Sequence, residues 1–478
     1  MQVCRHGVRS SRSLRPSSHV LLQRRRFHLQ ADLLDDLQSR GLISDITRPD
    51  MLREELRSGN QVVYAGIDPT APSLHVGHLL PLLSLFHFQI RGHQIIPLIG
   101  GATGLIGDPS GRSTERPLSA QADVERNVLA LIQGVRNFFS GAVKYAQNRL
   151  EASTTPILSP DIRNNIHWTK DLGLLEFLRT VGVHSRVNIM MARDSVRNRL
   201  TSQQGISFTE FTYQLLQSYD FLMLYKNAGC TIQIGGSDQW GNIIAGIDLI
   251  NRVNATDGAE NRTEKGFGIV TPLLTTASGE KFGKSAGNAI SLDEQATNVF
   301  DFYQFFLRST DADVGRYLKI FTLLPLAKIE SVLEDHASNP ETRLAQRLLA
   351  QEVTELVHGE TGVRRAQAAT AVLYDQDFST LNIDTIIESL HGMPFFNEYE
   401  ESEMMNVPIA KLAARCQIAS SNGAARQLVA AKGLYLNNHP VSDPQQALRP
   451  SDLIGGRLAI IRAGKQKQAV VALSHPLP

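Results

Sequence analysis

The sequence predicts an α/β protein built on a parallel sheet, followed by a helical block and a small, basic α+β block. Three observations carry that prediction. Residues 62–67 and 94–99 are apolar runs, and the stretch between them has Leu79, Leu82, Leu83 and Phe86 at helical spacing. A third run, residues 230–234, again opens through glycines into a helix. Residues 298 to about 374 then keep a helical period almost without a break. Strand, helix and strand form a right-handed βαβ unit, so the strand ends share one rim of the sheet. No G-x-G-x-x-G follows the first strand, which disfavours a dinucleotide fold of the dehydrogenase type.

Length and charge bound the organisation. A chain of 478 residues has room for roughly two to four domains. No apolar run is long enough to span a bilayer, so no membrane partner is expected. Cys4, Cys230 and Cys416 lie far apart, which argues against a disulfide framework and a zinc site. Residues 1–31 hold seven arginines and no acid, and residues 405–478 hold nine Lys/Arg against two Asp, which leaves residues 32–404 at −13 within a total of +1. The first basic stretch has the make-up of a mitochondrial presequence and predicts the mitochondrial matrix, with a disordered RNA-binding arm as the alternative. The second keeps strand and helix periodicity and is expected to fold and meet a polyanion.

Taken in order, Leu33, Leu34 and Leu37 mark a short helix and residues 49–56 another. The first strand ends at Asp68-Pro69-Thr70, and a helix follows from His75 to about Gln89. The second strand leaves through a glycine-rich loop, residues 100–112, which contains Gly107-Asp108-Pro109-Ser110-Gly111. Residues 123–139 read as a helix, 164–168 as a polar connection, and 174–181 and 190–200 as helices. In the helix at 208–222, Tyr213, Gln217 and Asp220 fall at i, i+4 and i+7 and share a face, which in isolation would also suit a solvated surface. After the third strand, Ser237 or Asp238 can cap the next helix. Residues 254–265 read as a surface loop, and its sequons at Asn254 and Asn261 as accidental. The helical block is placed at 298–396, an acidic linker at 397–404, and the last block at 405–478.

Two motifs carry chemistry. A helix N-terminus at His75-Val76-Gly77-His78 offers unpaired backbone N–H groups to an anion, two imidazoles add donors, and Gly77 lets a flat group approach the backbone. As a metal pair the histidines lack the usual spacing and a third ligand, and taken alone the stretch would read as simple core or cap histidines. Lys281-Phe282-Gly283-Lys284-Ser285 is a cationic loop suited to a polyphosphate, although Lys-x-x-Lys-Ser alone is common in solvated loops.

These motifs, with residues 64–78, the Gly-Asp-Pro-Ser-Gly loop, the Tyr213/Gln217/Asp220 helix and Gly235-Gly236-Ser237-Asp238-Gln239-Trp240-Gly241-Asn242, together resemble tyrosyl-tRNA synthetases of the bacterial and mitochondrial type, class I. His75 to His78 is similar to that class's HIGH signature and Lys281 to Ser285 to its KMSKS signature. The resemblance implies a Rossmann-like catalytic domain over 32–297, an α-helical tRNA-binding domain and an S4-like RNA-binding domain. It implies that L-tyrosine and ATP, with Mg2+ on the ATP, give tyrosyl-AMP, and that the tyrosyl group passes to mitochondrial tRNA-Tyr on a homodimer. Thr70, His75, His78, Lys281, Lys284 and Ser285 are the implied catalytic residues. Tyr64 and Asp220 are implied to hold the phenol hydroxyl and Asp108, Tyr213 and Gln217 the ammonium, with Gly66, Gln233 and Gln239 in the same pocket. Asp68, Gly77 and Asp238, with Thr70, His75, His78 and Lys284, are the implied ATP contacts. Two departures stand out: Pro81 inside the signature helix, and Arg112 where bacterial relatives often carry Lys. The rival reading is an RNA-binding factor for group I intron splicing, alone or as a second role.

Overall fold

The computed structural model describes residues 32–111, 114, 118–151, 156–201, 205–256, 264–280, 282–285, 288–374, 383–464 and 467–475. The expected presequence, Arg112, Lys281 and most of the 254–265 insertion lie outside them.

Helix α1 (Leu33–Arg40) starts on Asp32, whose carboxylate accepts from the backbone of Leu34 and Asp35, and stops on left-handed Gly41. Strand β1 (Asp45–Ile46) and helix α2 (Pro49–Ser58) lead into β2 (Val62–Ile67). A 3-10 turn (Val76–His78) runs into α3 (Leu79–Gln89), and β3 (Gln94–Ile99) follows. Pro81 sits in the first turn of α3, and the helix continues unbroken past it. Helix α4 (Gln121–Arg149) ends ten residues beyond the 139 expected, because Ala142, Tyr145, Ala146 and Arg149 still have a buried face to cover.

The segment expected to be only a polar connection holds β4 (Arg163–Asn164) and the single turn α5 (Ile166–Thr169). Next come α6 (Leu174–Thr180), α7 (Val187–Met191) and α8 (Asp194–Leu200). One helix was expected over 190–200. Extended backbone at Arg193 breaks it in two, with the Arg193 guanidinium donating to the Gly241 carbonyl at 2.5 Å. Helix α9 (Phe208–Ala228) precedes β5 (Cys230–Gly236), α10 (Trp240–Thr256) and β6 (Phe267–Thr271). Neither Ser237 nor Asp238 caps α10 as expected; a 3-10 turn (Ser237–Gln239) feeds it, and Asp238 instead accepts from Gln239.

Among the described residues these strands form one sheet in the order β1-β6-β5-β2-β3-β4, parallel except for β1. The chain builds outward from β2 through β3 to β4, then crosses back to β5 on the other side. The switch point therefore lies at the C-terminal end of β2, where such sheets bind ligands.

Strands β7 (Lys284–Ser285) and β8 (Asn288–Ala289) form a hairpin. The helical block is α11 (Val299–Leu307), α12 (Asp311–Phe321), α13 (Leu326–Ser338), α14 (Leu344–Tyr374), kinked at Gly359, and α15 (Ile383–Leu390). One apolar core runs from the sheet into this block, so residue 297 ends a motif rather than a core. Buried Arg149 on α4 meets Glu352 and Glu355 on α14 at 2.6 and 2.7 Å, which pins the two layers together.

The C-terminal block comprises β9 (Phe396–Tyr399), α16 (Glu401–Met404), α17 (Ile409–Arg415), α18 (Asn422–Ala430), β10 (Leu434–Leu436), β11 (His439–Pro440), β12 (Leu458–Ala463) and β13 (Lys467–Leu473). Residues 397–404 are not the linker expected. Strand β9 pairs in parallel with β13 from Phe396 and Val470 to Tyr399 and Leu473 and closes the sheet β11-β10-β12-β13-β9. Four residues long and followed at once by an acidic run, it is too short to show a period, and its pairing partner lies some seventy residues away. The sheet has two apolar faces: Ile460, Val470 and Ala472 join the helical block's core, while Ile461, Ala469 and Val471 pack on the block's own helices.

Candidate functional site

A cavity of about 250 Å³ opens at the switch point, lined by the ends of β2, β3 and β5, the face of α9 and the glycine-rich loop after β3. Of the sequence-predicted residues it gathers Tyr64, Gly66, Asp68, Thr70, His78, Asp108, Tyr213, Gln217, Asp220, Gln233 and Gln239. The helical spacing of Tyr213, Gln217 and Asp220 does put all three on the cavity wall.

Asp220 lies deep, 3% exposed. Asn165 Nδ2 donates to one carboxylate oxygen at 3.0 Å and Trp168 Nε1 to the other at 2.8 Å. Burial pushes Asp220 up to about 7, against the pull of these two donors. The Tyr64 hydroxyl, on β2, is buried without a hydrogen-bond partner among the described residues, as is Gln233 Oε1 on β5. Burial, and then the Asp220 charge, raise the Tyr64 phenol well above its ordinary value. Unpartnered buried polar atoms are costly, so a cavity floored by Tyr64, Gln233 and Asp220 is fitted to a ligand that carries a hydroxyl there.

Nearer the mouth, the Tyr213 hydroxyl donates to Asp68 at 2.8 Å and Thr103 donates to the other Asp68 oxygen at 2.7 Å. Asp68, implied to be an ATP contact, is therefore tied to Tyr213 on the amino-acid side. Gly100 makes room for this arrangement: a Cβ there would stand 2.1 Å from Asp68 Oδ1. Asp108 accepts from the Ser110 backbone at 2.8 Å and from Gln239 at 2.6 Å, and burial raises its pKa despite both. Asn242 donates to Gln217 and Gln239, each at 3.0 Å, and so fixes the two amides against each other. Asp68, Asp108 and Asp220 around one small volume favour a cationic group in it. Asp238 stays at the exposed rim beside Gln239.

The first motif departs from the expectation of an open anion site and follows the plainer one, in which its two histidines act as caps. Its backbone N–H groups are not open to an anion: Val76 donates to Ile290, Gly77 to His75 Nδ1 and His78 to the His75 carbonyl. The His75 backbone in turn donates to His78 Nδ1, and the two rings stack at 3.9 Å. With both Nδ1 atoms accepting, the ring protons sit on Nε2. Burial and the neighbouring His75 ring push His78 down to about 3, so it reaches the cavity as a neutral donor. Gly77 is exposed, and a Cβ there would stand 2.9 Å from the His75 ring, so the missing side chain also makes room for that ring. Lys281 lies outside the described residues. Strand β7, which carries Lys284 and Ser285, is joined to the first motif through residues 290–292, with Ile290 accepting from Val76 and Leu292 donating to Leu74.

Asn165, Trp168 and Thr103 were missed from sequence, and Asn242, which ends the Gly235–Asn242 motif, was given no role there. Nothing in a four-residue helix or a glycine-rich loop marks them beforehand, although two adjacent asparagines ahead of a tryptophan could have suggested a buried polar network.

Known proteins compare along the same lines. The family profile described as tRNA synthetases class I (W and Y) matches residues 57–375, about two thirds of the chain, and places it in that class. A second profile, the tyrosine–tRNA ligase SYY-like C-terminal domain, matches residues 386–471. The mitochondrial tyrosine–tRNA ligase of Saccharomyces cerevisiae is 39% identical over 99% of both chains, and that of Drosophila melanogaster 39% identical over 96% of this chain and 98% of its own. The C-terminally truncated mitochondrial tyrosyl-tRNA synthetase of Aspergillus nidulans superposes with a TM-score of 0.66 at 35% identity, covering 72% of this chain and 95% of that one. The chain belongs to the tyrosine–tRNA ligases.

Proposed function

We propose that this enzyme works in the mitochondrial matrix, joins L-tyrosine to ATP as tyrosyl-AMP with release of pyrophosphate, and passes the tyrosyl group to the terminal ribose of mitochondrial tRNA-Tyr. The observation that carries this reading is the cavity floor, where Tyr64 and Asp220 offer a donor and an acceptor to one phenol hydroxyl. The ammonium then lies among Asp108, Tyr213 and Gln217, with Asp68 behind Tyr213. The tyrosine carboxylate attacks the α-phosphorus, and the bond to pyrophosphate breaks with no covalent enzyme intermediate. Thr70 and neutral His78 at the cavity rim, with Lys284 and Lys281, stabilise charge gathering on the phosphates, and Mg2+ arrives with the ATP.

A homodimer is part of this reading. The short helices α6 to α8 and the start of α9 leave Leu174, Leu175, Val187 and Phe208 between 60% and 79% exposed, an apolar area that a second copy would cover. Tyrosine-dependent exchange of pyrophosphate into ATP, measured across all amino acids, tests the activation step. Exchange confined to tyrosine supports it, and no exchange leaves only an RNA-binding role.

A further inference from the structure

We propose that Phe282 is a positioning residue for adenylate formation, an aromatic anchor through which the helical block sets where the lysine-bearing hairpin stands. The inference rests on the activation reaction proposed above. Phe282 lies between the two lysines of the second motif, yet it is not among the residues that line the cavity and is 7% exposed. Its ring stacks on Phe321 at 5.4 Å and meets Tyr317 at 4.7 Å and Phe305 at 5.3 Å, all on α11 and α12.

Hydrogen bonds extend the same attachment on both sides. Ahead of Phe282, the Ala277 N–H donates to Asp313 at 2.8 Å and Arg316 donates to the Thr275 carbonyl at 3.3 Å, so the stem is tied to α12. Behind it, Gly283 accepts from Ile290 at 3.0 Å, and residues 290–292 pair with the first motif. Gly283 is so close to that motif that a Cβ would stand 2.7 Å from Val76. The hairpin start is thus held from two directions, by a ring in the helical block and by a glycine against the first motif. A groove of about 710 Å³ runs between the stem and α11–α12 beside the ring, so the ring bridges a seam that is otherwise loosely filled. Loss of the ring would let β7 shift, and reactions that depend on placed charges fall steeply with small displacements.

The test uses the full-length enzyme and compares Phe282→Ala, Phe282→Met and Phe305→Ala, the last removing a partner ring from the other side of the seam. Pyrophosphate exchange gives kcat and KM for ATP, and equilibrium dialysis gives the tyrosine Kd. Phe282→Ala should lower kcat by about ten- to a hundredfold and leave the tyrosine Kd within about twofold, because the tyrosine cavity is separate. Phe282→Met should recover most of the rate, and Phe305→Ala should show the same kcat signature in weaker form. On a Lys284→Ala background, Phe282→Ala should cost clearly less rate than it does in the otherwise unaltered enzyme. Unchanged kcat in both alanine variants, an equal loss of rate and tyrosine affinity, or a full additional loss on the Lys284→Ala background would overturn the proposal. Absence of tyrosine-dependent exchange in the unaltered enzyme would instead overturn the function on which it rests.

Discussion

Replacing Asp220 by Asn should weaken tyrosine binding and strengthen the fold, two effects of opposite sign from one carboxylate. Asp220 is fully enclosed, and its folded pKa of about 7 stands above the ordinary 3.8. Below pH 3.8 both states are protonated and no penalty exists; between the two values the folded chain binds the extra proton, so stability falls as pH rises. From pH 5 to pH 8 the wild type should lose about 2 to 3 kcal/mol through this group, a loss that Asp220→Asn escapes. The amide still accepts from one of Asn165 and Trp168, which limits the gain. In binding, a hydrogen bond to a charged acceptor contributes about 1.5 to 3 kcal/mol, so the tyrosine Kd should rise about tenfold to 150-fold. Phenylalanine, which lacks the hydroxyl, should bind nearly as before. Thermal melts at pH 5 and pH 8 and equilibrium dialysis with both amino acids supply the assay. A variant that keeps its preference for tyrosine, or is destabilised more at pH 8 than at pH 5, would refute the reasoning.

Three further outcomes are expected. Asn165→Ala removes a donor from Asp220, so the carboxylate pKa should rise further and the tyrosine Kd increase by roughly tenfold, consistent with about 1 to 2 kcal/mol; dialysis across a pH series reads both. Gly283→Ala places a methyl against Val76 at a φ of +93°, which costs about 1 to 3 kcal/mol and should slow pyrophosphate exchange while tyrosine affinity holds. Leu175→Glu, at a position 76% exposed, should leave the monomer folded by circular dichroism and lower the sedimentation coefficient to that of a single chain.

The parallel sheet, its rim and most of the cavity wall were legible because they depend on local signals: apolar runs, turn glycines, and polar residues at i, i+4 and i+7 on one helix. What escaped depends on partners distant in sequence. Asn165 and Trp168 gain their roles only from Asp220 some fifty residues on, and β9 becomes a strand only because β13 offers it an edge. The first motif misled for a related reason. Its helix-end donors looked free in isolation, yet Ile290 and the His75 ring already occupy them.

A crystal structure with a non-hydrolysable tyrosyl-adenylate analogue tests the central claim most directly. The phenol oxygen should lie within hydrogen-bond distance of both Tyr64 Oη and the Asp220 carboxylate, with the phosphate toward His78 Nε2 and the β7 hairpin. A phenol turned to solvent, or an analogue seated in the groove beside Phe282, would contradict it.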